Sequence, residues 1–187
     1  MTIDAKQARE VWGRAECLFD ESQVMSAFNR MAKEISDVLA EKEPVILSVM
    51  NGGLIPTGHL LTRLDFPLHV DYLHASRYRG ATRGGALNWT VKPQQSLKNR
   101  AILIIDDILD EGLTLESIID YCHQKGAASV HSCVLVEKMH QRKEGSYQAD
   151  FIGLQVNDVY VFGFGMDYKG YLRNAPGIYA VAAQDDN

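Results

Sequence analysis

The sequence predicts an α/β fold with a mainly parallel sheet, because short apolar runs alternate with helical patterns. Three runs, VILSV (45–49), AILII (101–105) and VHSCVLV (130–136), are almost wholly apolar, as expected of strands buried on both faces. Residues 22–41 carry apolar side chains at spacings of three and four, which is the period of an amphipathic helix. Strands that alternate with helices in this way build a mainly parallel sheet flanked by helices.

The remaining core elements follow from turn and capping signals. The 22–41 helix is predicted to begin at Ser22 as its N-cap. Residues 54–64, after the turn MNGG, form the next predicted helix, and the alternating stretch LHVDYLH (68–74) is predicted to be a strand with one exposed face. The helix after AILII is predicted to end at Lys125, with Gly126 as its C′ residue.

Two regions do not follow the alternation. Residues 76–95 lack periodicity and contain no acid, which predicts a long loop or hairpin, and such loops are usually functional lids or disordered. The C-terminal pieces FIGLQV, VYVFGFG and IYAVAA are short and β-like, with no helix between them. They are predicted either to extend the sheet or to form a small cap.

Composition and charge exclude several classes of protein. A chain of 187 residues fits one domain. Its net charge of −5 argues against broad nucleic-acid binding, which needs a basic footprint. The N-terminus MTIDAKQARE lacks the apolar part of a secretory signal, and no apolar run approaches a membrane span. The three cysteines have no CxxC spacing and the histidines no HExxH spacing, so we expect no disulfide framework, no histidine metal site and a cytoplasmic location.

The stretch AILIIDDILDEGLTLESIID (101–120) is the most informative in the chain. Four acids stand within six residues where the predicted strand ends: Asp106, Asp107, Asp110 and Glu111. Parallel sheets bind ligands at the carboxyl ends of their strands, and the start of a helix suits a phosphate. Gly112 permits close backbone approach and Thr114 adds a hydroxyl. Carboxylates suit sugar hydroxyls or magnesium, so the residues together favour a sugar phosphate.

By pattern alone, two other interpretations of the acidic stretch stay open. The acids could form a solvated turn whose charges merely cap the following helix. They could also form the acidic pocket of a phospho-acceptor receiver domain or of a magnesium-dependent phosphatase.

Four segments together carry a family resemblance. They are VILSVMNGGLIPTGHLL, ILIIDDILDEGLTLESII, VLVEKMHQRK and YVFGFGMDYKGYLRNAPGIYAV. In this order they resemble the 6-oxopurine phosphoribosyltransferases, the hypoxanthine-guanine salvage enzymes of the type I phosphoribosyltransferase fold. The similarity runs from about residue 16 to residue 181. It implies a single domain over 1–187, with a core at about 40–150 and a small hood from about 1–20 and 150–187.

The resemblance assigns the acidic stretch to 5-phosphoribosyl 1-pyrophosphate. Asp106 and Asp107 match the positions that meet the ribose hydroxyls and magnesium, and Asp110 matches the general acid/base for the purine N7 proton. The 5′-phosphate cradle corresponds to Glu111, Gly112, Leu113 and Thr114. The family usually has Thr where this chain has Glu111, so we expect that carboxylate to point away from the phosphate.

The resemblance places the pyrophosphate on the MNGG loop, through Asn51, Gly52 and Gly53. The family commonly has Lys or Arg near position 50, and this chain does not, so backbone groups, magnesium and other cations must carry the binding. Arg173 matches a family arginine that reaches the pyrophosphate.

SRYRGATRGG (76–85) matches the family's mobile loop, with Ser76 and Tyr78 as its substrate-binding residues. Ser76 fits the family's small hydroxyl residue, whereas Arg77 separates Tyr78 from it and so departs from the family's adjacent Ser-Tyr pair. Closure of such a loop excludes water and prevents hydrolysis of the diphosphate. Taken without the resemblance, the same segment could be a basic RNA-binding hairpin or a merely flexible loop.

The purine site implied by the resemblance lies in the last two segments. Lys138 would donate to a 6-oxo group, and Tyr160 would stack on the purine face. Backbone groups of Val161 and Asp167 would meet the pyrimidine edge, and the Asp167 carboxylate would help to hold magnesium.

The leading hypothesis is therefore a magnesium-dependent purine salvage enzyme that makes IMP and GMP, acting on small molecules as a homodimer or homotetramer. Two alternatives remain: a phosphoribosyltransferase for another base such as xanthine, and a non-catalytic regulator that senses nucleotides on the same fold. Asp110, Lys138 and Asp167 favour the enzyme.

Overall fold

The computed structural model describes residues 3–77, 87–140 and 147–186, and its main sheet has six strands. The helices are α1 (Ala5–Arg14), α2 (Glu21–Leu39), α3 (Leu54–Leu61) and α4 (Leu113–Gln124). The strands are β1 (Glu16–Asp20), β2 (Val45–Val49), β3 (His69–Arg77), β4 (Leu87–Val91), β5 (Ala101–Leu109), β6 (Ser129–Met139), β7 (Phe151–Asn157), β8 (Val161–Phe162) and β9 (Gly177–Ala180).

The predicted parallel α/β sheet is confirmed. Strands β3, β2, β5, β6 and β7 run parallel, and β4 joins the edge antiparallel to β3. Side chains of β5 alternate between two cores: Leu103 and Ile105 pack with α2 and α3, whereas Ile102 and Ile104 pack with α4. This alternation follows from the two-residue period of a strand, and it leaves helices on both faces.

Strands β5 and β6 are longer than the apolar runs that predicted them. Asp106 still pairs with Val134 and Leu109 with Glu137, so the first acids lie on the strand itself. The strand continues because the backbone ladder with β6 continues, whatever the polarity of the side chains.

The start of α2 also differs from the prediction. Asp20, not Ser22, is the N-cap: its carboxylate accepts a hydrogen bond from the Gln23 backbone N–H at 2.9 Å, and the Gln23 side chain accepts from the Asp20 N–H. This reciprocal capping box satisfies two N–H groups at once, whereas Ser22 already lies in the first turn. At the end of α4, Lys125 is the C-cap and Gly126 has a φ of +80°, as predicted.

A second, three-stranded sheet in the order β1-β9-β8 packs with α1. It joins the N-terminal segment to chain beyond residue 160, where a hood was expected. Strand β7, which follows the expected border at about residue 150, pairs with β6 and belongs to the main sheet. Among the described residues, no helix is long and apolar enough to span a bilayer.

Candidate active site

Asp106 and Asp107 form a partly buried acid pair near the carboxyl end of β5. The Asp107 N–H donates to Asp106 Oδ1 at 2.9 Å, and the Asp107 side chain is 13% exposed. Burial and the neighbouring negative charge raise the pKa of Asp106 well above its ordinary value, and burial raises the pKa of Asp107. A partly buried pair of carboxyls in this state favours any ligand that brings positive charge or hydrogen-bond donors.

Asp110, three residues further on, lies between two basic side chains. Its Oδ2 is 3.0 Å from Lys138 Nζ, and its Oδ1 is 2.7 Å from His140 Nε2. Partial burial alone would raise the pKa of Asp110, but the hydrogen bonds from Lys138 and His140 outweigh it and lower that pKa. Asp110 is therefore ionised at neutral pH and ready to accept a proton.

Lys138 lies near the end of β6, and His140 is the first residue after that strand. The pairing of Leu109 with Glu137 places Asp110 beside Lys138, and residues two apart on an extended chain point to the same side. His140 was not among the residues predicted for the site. Its spacing from Lys138 was the signal that could have found it.

The predicted phosphate cradle opens α4. Gly112 caps the helix with a φ of +84°, a left-handed conformation that suits glycine. Leu113 and Thr114 are half-buried in the first turn, and Glu111 is exposed. The first N–H groups of a helix lack partners within it, so this turn can receive a phosphate.

The MNGG loop lies directly against the acid pair. The Met50–Asn51 peptide bond is cis, and both following glycines are buried. A methyl group added at Gly52 would overlap the Asp107 carboxylate, and one added at Gly53 would overlap the carbonyl oxygen of Ile105. Glycine is therefore required at both positions for the loop to approach the end of β5.

Arg173 connects the acid pair to the chain beyond β8. Its guanidinium pairs with the Asp167 carboxylate, lies 3.8 Å from Asp107 Oδ2 and donates to the carbonyl oxygen of Gly165. A methyl group at Gly165 would overlap the carbonyl oxygen of Gly52. These contacts bring residues 165–173 over the MNGG loop and the end of β5.

Tyr160 and Val161 stand at the start of β8. Val161 is buried, whereas Tyr160 is half-buried, with its ring centroid 5.3 Å from that of Tyr168. Burial raises the pKa of Tyr160, whose oxygen accepts a long hydrogen bond from the Lys169 N–H at 3.4 Å. The phenol is thus neutral, and its aromatic ring is of the type that stacks on a planar ligand.

Comparison with known proteins identifies the family. The profile described as "Phosphoribosyl transferase domain" matches residues 15–169. The chain belongs to the phosphoribosyl transferase family. It is 30% identical over 176 residues to the hypoxanthine-guanine phosphoribosyltransferase of Aquifex aeolicus, covering 92% of this chain and 98% of that one. It is 29% identical to the hypoxanthine-guanine-xanthine phosphoribosyltransferase of Tritrichomonas foetus, covering 86% and 88%.

Solved structures agree with this assignment. A hypoxanthine phosphoribosyltransferase from Staphylococcus aureus superimposes with a TM-score of 0.87 at 25% identity and covers 97% of each chain. This phosphoribosyl transferase therefore has the type I fold predicted from its motifs, and the predicted family membership is confirmed.

The structure brings most of the predicted ligand residues of this phosphoribosyl transferase to one end of the sheet. Described contacts link the acid pair, the MNGG loop and Arg173, and link Asp110 to Lys138. Tyr78 lies outside the described residues, and so does the side chain of Ser76. Within the described ranges, no group of three or more His, Cys, Asp or Glu side chains could hold a metal ion.

Proposed function

We propose that this phosphoribosyl transferase transfers the 5-phosphoribosyl group of phosphoribosyl pyrophosphate to hypoxanthine or guanine, giving IMP or GMP and pyrophosphate. The observation that carries the proposal is the Asp110 carboxylate held beside Lys138 at the end of the sheet. A proton acceptor and a donor suited to a 6-oxo group stand together there, next to an acid pair. The names of the relatives point to the same reaction.

In the proposed mechanism, Asp110 accepts the proton from the purine N7. The bond from the ribose carbon to pyrophosphate breaks as the bond to the purine nitrogen forms. Positive charge develops on the ribose ring, and the carboxylates of Asp106 and Asp107 stabilise it more in the transition state than in the ground state. Lys138 donates to the 6-oxo group and Tyr160 stacks on the ring, while backbone groups of Val161 and Asp167 meet the pyrimidine edge.

The phosphate groups would occupy backbone sites. The segment that leads into α4, from Glu111 to Thr114, would hold the 5′-phosphate, and the loop from Asn51 to Gly53 would hold the pyrophosphate. The exposed position of Glu111 leaves its N–H, rather than its carboxylate, for this role. Arg173 would exchange part of its pairing with Asp167 for the pyrophosphate, and Ser76 and Tyr78 would approach from the neighbouring loop.

Magnesium fits the acid pair. Mg²⁺ in nucleotide sites is usually held by one or two carboxylates together with phosphate oxygens and water, so a cluster of three protein ligands is not required. Asp106 and Asp107 offer partly buried carboxyl oxygens whose repulsion a divalent cation would relieve. Among the residues that the structure describes, the third predicted ligand, Asp167, forms no three-residue metal cluster with them and pairs instead with Arg173. The ion would neutralise charge on the leaving pyrophosphate.

Pyrophosphate release tests this function. The protein is incubated with magnesium and phosphoribosyl pyrophosphate, and separately with hypoxanthine, guanine, xanthine or adenine. We expect release with hypoxanthine and guanine and little with adenine, because a 6-amino group cannot accept a hydrogen bond from Lys138. If none of the four bases gave pyrophosphate release, the enzyme would be ruled out and the non-catalytic, nucleotide-sensing alternative would be favoured.

Xanthine is the second candidate substrate. It carries the same 6-oxo group as hypoxanthine, and one relative at 29% identity is named for all three bases. Release with xanthine at a higher kcat/KM than with hypoxanthine would favour a xanthine-preferring enzyme.

Self-association and a cytoplasmic location complete the proposal. Three exposed apolar side chains suit a contact between two copies, in a homodimer or homotetramer: Leu54 opening α3, and Val70 and Tyr72 on one face of β3. The three cysteines of the chain are free thiols, as is usual for proteins of the cytoplasm, and this supports the proposed location. A monomeric mass by sedimentation at micromolar concentration would contradict self-association.

A further inference from the structure

We propose that His140 is a positioning residue that holds the Asp110 carboxylate in place when Lys138 turns to the purine. This inference rests on the proposed function and goes beyond it, because it assigns a role to a side chain outside the purine, ribose and phosphate contacts. It starts from the distance of 2.7 Å between His140 Nε2 and Asp110 Oδ1.

The protonation state of the contact follows from its partner. An ionised carboxylate can only accept hydrogen bonds, and Asp110 is ionised at neutral pH. The Nε2 atom of His140 must therefore carry the hydrogen and donate it. A charge-assisted bond of this length orients the carboxylate as well as stabilising its charge.

The two donors bind different oxygens of the Asp110 carboxylate. Lys138 occupies Oδ2 and His140 occupies Oδ1, so the plane of the carboxylate is fixed at both oxygens. With one donor alone, the terminal torsion of Asp110 would be free to turn, since such sp³–sp² torsions are broad.

The two donors also differ in mobility. Lys138 has a flexible four-carbon stem, and in the proposed reaction it must donate to the 6-oxo group. His140 has a rigid ring, and its side chain is only 4% exposed. When Lys138 turns away, His140 is the donor that stays, so Asp110 keeps its orientation toward the purine proton.

A pair of amide substitutions separates this role from simple packing. The amide nitrogen of a glutamine lies near the place of Nε2 in histidine, and that of an asparagine near the place of Nδ1. His140→Gln therefore keeps a donor within reach of Asp110, whereas His140→Asn removes it, and both variants are neutral and polar. We expect H140N to lose about tenfold in kcat for hypoxanthine, as when a hydrogen bond to a charged group is lost, and H140Q to stay within about threefold of wild type.

Two further readouts exclude a merely structural effect. KM for phosphoribosyl pyrophosphate should be unchanged in H140N, and the acid limb of its kcat–pH profile should move to higher pH, because Asp110 has lost a donor that stabilised its charge. In an Asp110→Asn background, adding H140N should change kcat less than about twofold, since residues acting through one another are not additive.

The outcomes are distinguishable. Equal kcat in wild type, H140Q and H140N would overturn the role of His140 and leave the proposed function intact. A wild-type protein inactive with every base would overturn the proposed function, and this inference with it. Should H140N not fold, H140T replaces it, because threonine suits the end of a strand, and wild-type kcat in that variant overturns the proposal equally.

Discussion

Asp106 and Asp110 lie four residues apart near the end of β5, yet their surroundings shift their pKa values in opposite directions. Asp106 is half-buried beside a second carboxyl, and its pKa is raised. Asp110 is partly exposed between Lys138 and His140, and its pKa is lowered. One residue type thus provides two chemical groups in a single short stretch.

The difference shows that position on the sheet decides the chemistry of an acid here. Asp106 and its neighbour Asp107 repel each other until a ligand supplies positive charge or donors, which suits a site for ribose and magnesium. Asp110 already has two hydrogen-bond donors, Lys138 and His140, at the end of β6 and just after it, and is ionised at neutral pH. Each of the changes below alters one side of this comparison and leaves the other intact.

Asp110→Asn should have the largest effect. The substitution removes the proton acceptor but preserves size and backbone, and loss of general acid/base catalysis costs about 10²–10⁴ in rate. We expect the loss to fall on kcat, with little change in affinity for phosphoribosyl pyrophosphate, because the interaction matters mainly in the transition state.

The matched control is Asp120→Asn, which removes one exposed acid from α4, outside the proposed site. It should keep its turnover. If D110N also kept its turnover but melted at a lower temperature, Asp110 would be a helix-flanking acid and the proposed mechanism would be wrong.

Lys138→Ala should have a smaller effect, which falls on use of the purine base rather than on binding of phosphoribosyl pyrophosphate. Loss of a charge-assisted hydrogen bond costs about 1.5–3 kcal/mol, or roughly tenfold to a hundredfold in kcat/KM for hypoxanthine. Phosphoribosyl pyrophosphate binding, measured by calorimetry, should change little. A kcat/KM within about twofold of wild type would mean that Lys138 does not bind the base.

Asp106→Asn should have the smallest effect on the ligand-free protein, and it should be stabilising. Because the pKa of Asp106 is raised on folding, its ionised form opposes folding above that pKa, and the cost disappears below the ordinary value of about 3.9. At pH 8 the Asn variant should melt higher than wild type, by about 2–4 °C for each kcal/mol of repulsion relieved. Near pH 4 the two proteins should melt at the same temperature. A lower melting temperature at pH 8 would contradict the repulsion.

Much of the fold follows from local sequence. The apolar run VILSV becomes a fully buried strand, and Gly126 ends α4 because its left-handed conformation suits glycine. The extension of β5 to Leu109 could not be predicted, because it depends on pairing with β6 rather than on side-chain polarity. The predicted N-cap of α2, Ser22, is wrong for a different reason: Asp and Ser are both favourable N-cap residues, so residue type alone does not choose between Asp20 and Ser22.

The candidate site could be predicted only in part from the sequence. Its acids could be found from the motif, because they are adjacent in the chain. The opposite environments of these acids could not be predicted, because they depend on contacts between segments that are distant in the chain. His140, for example, lies 30 residues from Asp110. The pairing of Arg173 with Asp167 was likewise hidden, although both residues had been predicted as ligands.

The contrast between the two acids can be measured directly by following aspartate carboxyl carbons in an NMR pH titration. Wild type, D106N and D110N are compared without ligand, so that each variant identifies its missing resonance. We predict a resonance titrating well above the ordinary value of about 3.9, which is absent or returned toward that value in D106N, and one titrating below it that is absent in D110N. If both carboxyls titrated near the ordinary value, the two sites would not differ as described, and the division of roles between them would be contradicted.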